Sequence, residues 1–190
     1  MRLDVEYGSA EPRLLLGTVG WERPDWLSGY YPADLPPEWR LAYYANDCSC
    51  VLLPPAAWCG VACDDLRALL DEVSSPLALF CETPRSGLAD SVCCELPESA
   101  SANAALLIRN AAPATSRLPR WQCDGDDRWK AADTPELLVR WTIERFDLRE
   151  LRDRSATLPE ATRALVLDGP GADPGRIREL RTLLELLGRT

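Results

Sequence analysis

The chain has 190 residues, enough for one domain with a real core but short of the ~250 typical of a complete (β/α)8 barrel. Its net charge of −9 and pI of about 4.6 disfavour binding to a phosphate backbone, so nucleic acid is not an expected partner. It contains no histidine and one lysine, Lys130, which removes Ser-His and Cys-His dyads and confines any lysine chemistry to one position.

The elements follow in chain order. Residues 1–12 form a polar lead-in without the apolar core of a signal peptide, and no apolar run approaches the ~18 residues of a membrane span. The expected location is therefore cytoplasmic, with reduced cysteines. Residues 13–18, with Leu14-Leu15-Leu16, read as a strand buried on both faces. An aromatic loop follows over 19–35, and Pro36-Pro37-Glu38 opens a helix reaching Asn46. Residues 48–53 form a second strand, stopped by Pro54-Pro55. A short helix is predicted over 64–73 and a third strand over 76–81. This alternation predicts βαβ units and a parallel sheet.

Residues 82–103 show no clean period, and 104–109 read as a fourth strand. The segment 110–135 is rich in Pro, Asp and Ala; it reads as irregular, with one short strand at 118–123. Order returns with a strand at 137–142, a helix at 147–157 and a strand at 162–168. The final helix has Asp173 as N-cap, Pro174 in its first turn, an apolar stripe from Ile177 to Leu187 and Gly188 as its stop. No linker divides the chain, so residues 1–190 read as a single domain.

Gly17-Thr18-Val19-Gly20-Trp21, Pro24-Asp25-Trp26, Gly29-Tyr30-Tyr31-Pro32, Glu38-Trp39 and Tyr43-Tyr44-Ala45 together resemble the YecE-like family. Members of that family carry a Gly-Thr-Ser-Gly-Trp strand end, then Asp-Trp, Phe-Tyr-Pro and a helix ending in Tyr-Tyr-Ala. The resemblance is strongest over residues 14–58. It implies an α/β fold, a TIM-like (β/α) barrel with mainly parallel strands; the short length makes it incomplete or irregular. Where the family has Val-Glu-Ile-Asn-Ser-Thr-Phe-Tyr, this chain has Val51-Leu52-Leu53-Pro54-Pro55-Ala56-Ala57-Trp58, and where it has Lys-x-Pro, Glu82-Thr83-Pro84. The threonine-histidine stretch that usually follows is missing as well.

Sites in parallel β/α proteins lie at the C-terminal ends of strands. Asp25, Glu82 and Asp168 are the candidate catalytic carboxylates there, with Glu144 a further one. Thr18, Trp21, Trp26 and Tyr31 are the candidate ligand-binding residues. Paired carboxylates with aromatic walls suit acid–base work on a sugar-like or nucleotide-like ligand. In the competing reading the carboxylates cap loops and the aromatic rings fill space. Asp173 and Pro174 make the Gly169-Pro170-Gly171 loop a poor anion site, and Asp124-Gly125-Asp126-Asp127 reads as a solvated turn.

Eight cysteines are present without any Cys-x-x-Cys pair; Cys59, Cys63, Cys93 and Cys94 lie nearest loops. No metal and no cofactor is expected. Two functional readings result. The first is a non-catalytic binding or interaction module that has lost the family's polar residues, with a protein partner or a second copy covering an open barrel edge. The second is a hydrolase or lyase working through the carboxylates.

Overall fold

The computed structural model describes residues 14–59, 65, 68, 70, 72–73, 76–84, 104–109, 118–125 and 127–189. Eight strands close into one barrel in chain order: β1 Leu15–Val19, β2 Cys50–Leu53, β3 Ala78–Glu82, β4 Ala104–Ile108, β5 Arg120–Cys123, β6 Arg128–Ala131, β7 Leu137–Thr142 and β8 Thr162–Asp168. Neighbours pair parallel from β1 through β5, and again from β7 through β8 to β1. Strand β6 runs antiparallel to both β5 and β7.

This corrects the expectation of a TIM-like (β/α) barrel, incomplete or irregular, in an α/β fold. The barrel is closed and mixed, and among the described residues no helix stands between β5 and β6 or between β6 and β7. The physical reason is connection length. Residues 124–127 join β5 to β6, and 132–136 join β6 to β7. A parallel crossover needs about a dozen residues, so connections this short force antiparallel hairpins. The described part of the segment 110–135 therefore holds two strands where one was expected at 118–123. Closure also removes the open edge on which a covering partner was argued.

Five short helices have described bounds: α1 Trp26–Gly29, α2 Arg40–Tyr44, α3 Pro55–Trp58, α4 Leu148–Ser155 and α5 Ile177–Leu186. None is long and apolar enough to cross a membrane. The helix expected from Pro36 divides into a 3-10 turn, Pro37–Trp39, and α2. Most of the helix expected over 64–73 lies outside the described residues, though Asp65, Ala68 and Leu70 are helical.

Helix α4 starts at Asp147, whose carboxylate accepts from the Arg149 and Glu150 amides; the first of these bonds chiefly holds its carboxyl below the usual range. Asp173 likewise accepts from the Gly175 amide at 2.9 Å, ahead of the turn Pro174–Arg176 and α5.

Strand alternation divides the core in two. Leu52, Phe80, Leu107, Trp121, Trp129 and Val166 are among the side chains that fill the barrel interior. Phe80 and Trp121 meet edge to face, with ring centroids 5.4 Å apart. Leu16, Val51, Leu79, Leu106 and Leu165 point outward, into a second cluster that Ile177, Leu180 and Leu184 of α5 join.

The coat is uneven. Strand β6 alternates exposed Arg128, buried Trp129, exposed Lys130 and half-buried Ala131, the pattern of a strand with one solvated face.

Strands β1 and β2 are stitched from outside by Tyr44. Its hydroxyl accepts from the Thr18 amide at 2.8 Å and donates to the Cys50 carbonyl at 2.9 Å. Both bonds are buried, so losing the hydroxyl orphans two backbone groups. Gly17, on the same seam, has no room for a side chain: a Cβ there would stand 1.8 Å from the Cys50 carbonyl oxygen.

Two outcomes are expected in urea titrations. Tyr44→Phe lowers stability by about 2–3 kcal/mol through the orphaned groups. Gly17→Ala lowers it by at least about 2 kcal/mol, because the obstacle is backbone and cannot swing aside. A Gly17→Ala protein as stable as the parent would show that β1 and β2 do not approach so closely.

Candidate functional site

The C-terminal ends of the seven parallel strands open at one mouth, and β6, running the other way, brings its N-terminal end there. Glu82 ends β3, with the residue only 7% exposed. Its backbone is fixed by Trp58, whose indole N–H donates to the Glu82 carbonyl at 2.9 Å. Arg109 follows the last residue of β4. Arg140 lies in β7 two residues beyond Leu138, on the interior face. Asp127 immediately precedes β6, and Trp129 is fully buried within it.

These residues form one network. Arg109 Nε donates to Glu82 Oε1 at 2.5 Å. The other Glu82 oxygen faces Arg140 Nη1 at 3.9 Å, an ion pair too long for a hydrogen bond. Arg140 is held on its far side by Asp127 Oδ1, which accepts from Nε at 2.8 Å and Nη2 at 2.5 Å. Both guanidinium carbons stand over the Trp129 ring, 4.9 Å (Arg109) and 5.4 Å (Arg140) from its centroid. The Trp129 indole N–H is buried without a hydrogen-bond acceptor among the described residues. Two positive and two negative side chains therefore form one network at the mouth, with both guanidinium groups over one indole.

The sequence candidates are distributed more widely. Glu82 is the one drawn into this network. Asp25 is exposed and pairs with Arg23 at 3.1 Å. Asp168 Oδ1 accepts from the Gly169 amide at 2.7 Å. Glu144 is exposed. Asp25, Glu82 and Asp168 share no hydrogen-bond partner among the described residues.

The aromatic loop is largely packing. Thr18 faces outward beneath Tyr44, and its hydroxyl donates to the Gly20 carbonyl at 2.8 Å. Trp26 is buried and donates to the Ala172 carbonyl at 3.0 Å. The buried Tyr31 donates to the Trp21 carbonyl and meets Tyr30 edge to face at 4.7 Å. Trp21 is half-buried and lines a separate cleft of about 500 Å³ with Glu22, Glu38, Asp65 and Glu72.

Arg109, Arg140, Asp127 and Trp129 were not among the sequence candidates. The available signal was a lone arginine closing or interrupting an apolar strand, as in Leu106-Leu107-Ile108-Arg109 and Leu137-Leu138-Val139-Arg140.

Among the described residues no group of three or more His, Cys, Asp or Glu is placed to hold a metal ion. Cys63, Cys93 and Cys94 lie outside them. Cys59 and Cys123 are half-buried, and Cys123 donates to the Gly125 carbonyl at 2.9 Å. Cys48, Cys50 and Cys81 are buried. Comparison with family models, curated proteins and solved structures finds no match to this chain.

Burial pushes the Cys48 and Cys81 thiols from their usual value of 9.0 up to about 12. In the unfolded chain they ionise near the usual value, whereas folded they stay neutral. Their contribution to stability is thus complete below about pH 9 and is lost as the pH rises towards 12. Urea midpoints measured from pH 7 to 11 are expected to hold and then fall. Replacing both thiols by alanine should lessen the fall, at some cost in core packing; burial also raises the pKa values of Cys50, Tyr30, Tyr31 and Tyr44, which supply the rest.

Proposed function

We propose that this chain is a non-catalytic binding module, a divergent relative of the YecE-like family, whose ligand site is the mouth of the barrel. The observation that supports it is the state of Glu82. The carboxylate best placed for chemistry is already engaged with Arg109 and faces Arg140. What the mouth presents instead is a pair of guanidinium groups held against an indole, an arrangement suited to holding a small polar ligand.

The hydrolase or lyase reading requires two carboxylates on one pocket. Asp25 and Asp168 are bound elsewhere, to Arg23 and to the Gly169 amide, and Asp127, the second carboxylate of the network, is ion-paired with Arg140. Buried free thiols at Cys48, Cys50 and Cys81 suit a reducing compartment, which favours the cytoplasm.

The test combines native mass spectrometry of the purified chain with assays on chromogenic glycosides and nucleoside phosphates. A small molecule retained by the parent and lost in Arg140→Gln is the expected result, with no turnover in either. Turnover that disappears in Glu82→Gln would overturn the non-catalytic reading.

A further inference from the structure

The asymmetry of the Glu82 ion pairs points to the ligand's chemistry. Glu82 offers one oxygen to each arginine, as an oxyanion bridging two guanidinium groups does. It is close to Arg109 at 2.5 Å and distant from Arg140 at 3.9 Å. Arg140 Nη1 is therefore without a hydrogen-bond acceptor among the described residues, although Nε and Nη2 are both taken by Asp127. The buried Trp129 N–H, on the ring beneath both arginines, also lacks a hydrogen-bond acceptor among the described residues. The receptor is also assembled in advance. Asp127 and the indole hold Arg140, and Trp58 fixes the Glu82 main chain, so only the Glu82 side chain has to move.

We infer that the mouth is an oxyanion receptor in which Glu82 is the resident competitor. A ligand carboxylate or phosphoryl group takes its place between Arg109 and Arg140, and the Glu82 side chain withdraws. This rests on the mouth being the binding site. Glu82 places its own negative charge between the arginines, so the parent binds a free anion weakly; removing the competitor's charge strengthens binding.

The experiment is calorimetric titration of the full chain with inorganic phosphate and, separately, with succinate. Two variants remove one negative charge each: Glu82→Gln and Asp127→Asn. Displacement predicts a gain of roughly tenfold or more for Glu82→Gln and a much smaller one for Asp127→Asn, which leaves the competitor in place. The anion that shows the larger gain identifies the ligand group as phosphoryl or carboxylate. Should Glu82→Gln not fold, Glu82→Asp draws the carboxylate back from Arg140 and is expected to tighten binding as well.

Equal gains from Glu82→Gln and Asp127→Asn would reduce the effect to net charge and overturn the inference. So would Glu82 variants that fold and bind neither anion more tightly than the parent. Turnover by the parent through Glu82 would instead sink the non-catalytic reading. A parent that retains a small molecule at the mouth, with Glu82→Gln no tighter for either anion, would sink displacement alone.

Discussion

The Trp129 indole joins the two halves of this molecule's physics. One side of its environment is the apolar barrel interior, shared with Trp121, Phe80 and Leu138. The other is a pair of guanidinium groups within cation–π reach. A small barrel must fill its own lumen, and a tryptophan on a short strand does so with few residues. Because that ring also supports Arg109 and Arg140, the packing that closes the barrel is the packing that positions its charged mouth.

Charges so placed carry a cost. Taking a carboxylate and two guanidinium groups out of water is unfavourable, and their mutual attraction offsets this only with good geometry. Here it is good at Arg109 and poor at Arg140, which holds its hydrogen bonds at the half-exposed Asp127 instead. Replacing such a cluster with apolar side chains of similar volume is often neutral or stabilising. On the proposed reading, recognition rather than folding accounts for its presence. Tyr44 is the contrast, since its buried hydroxyl binds the Thr18 amide and the Cys50 carbonyl and stabilises the seam between β1 and β2.

How much of this was legible depends on pattern length. The strands from Leu15 to Ile108 and the strand Thr162–Asp168 have runs of apolar residues long enough to announce themselves, and Asp147 and Asp173 are visible helix starts. Strand β6 was not visible. Arg128-Trp129-Lys130-Ala131 alternates correctly, but over four residues and within a Pro- and Asp-rich tract. Missing it concealed the hairpins and hence the mixed character of the barrel. It also concealed Trp129, whose position in the lumen follows only from the parity of that strand. Glu82 could be found because it ends a strand; Arg140 could not, because it sits two residues inside one. The aromatic loop, read from the sequence as a ligand wall, uses two of its polar groups within the protein. Trp26 and Tyr31 have polar atoms, but those atoms are occupied by the Ala172 and Trp21 carbonyls.

The reversed course of β6 gives this barrel a rim of two kinds. Along most of the mouth the bordering loops lead away to the next parallel strand, so altering one disturbs a long connection. The turn at 124–127 only reverses the chain, with Gly125 in the left-handed region at φ 106°. It carries Asp127, the carboxylate that steadies Arg140. Lineages of this fold could therefore exchange that short turn, and with it the charge beside the site, while leaving the eight-strand closure intact.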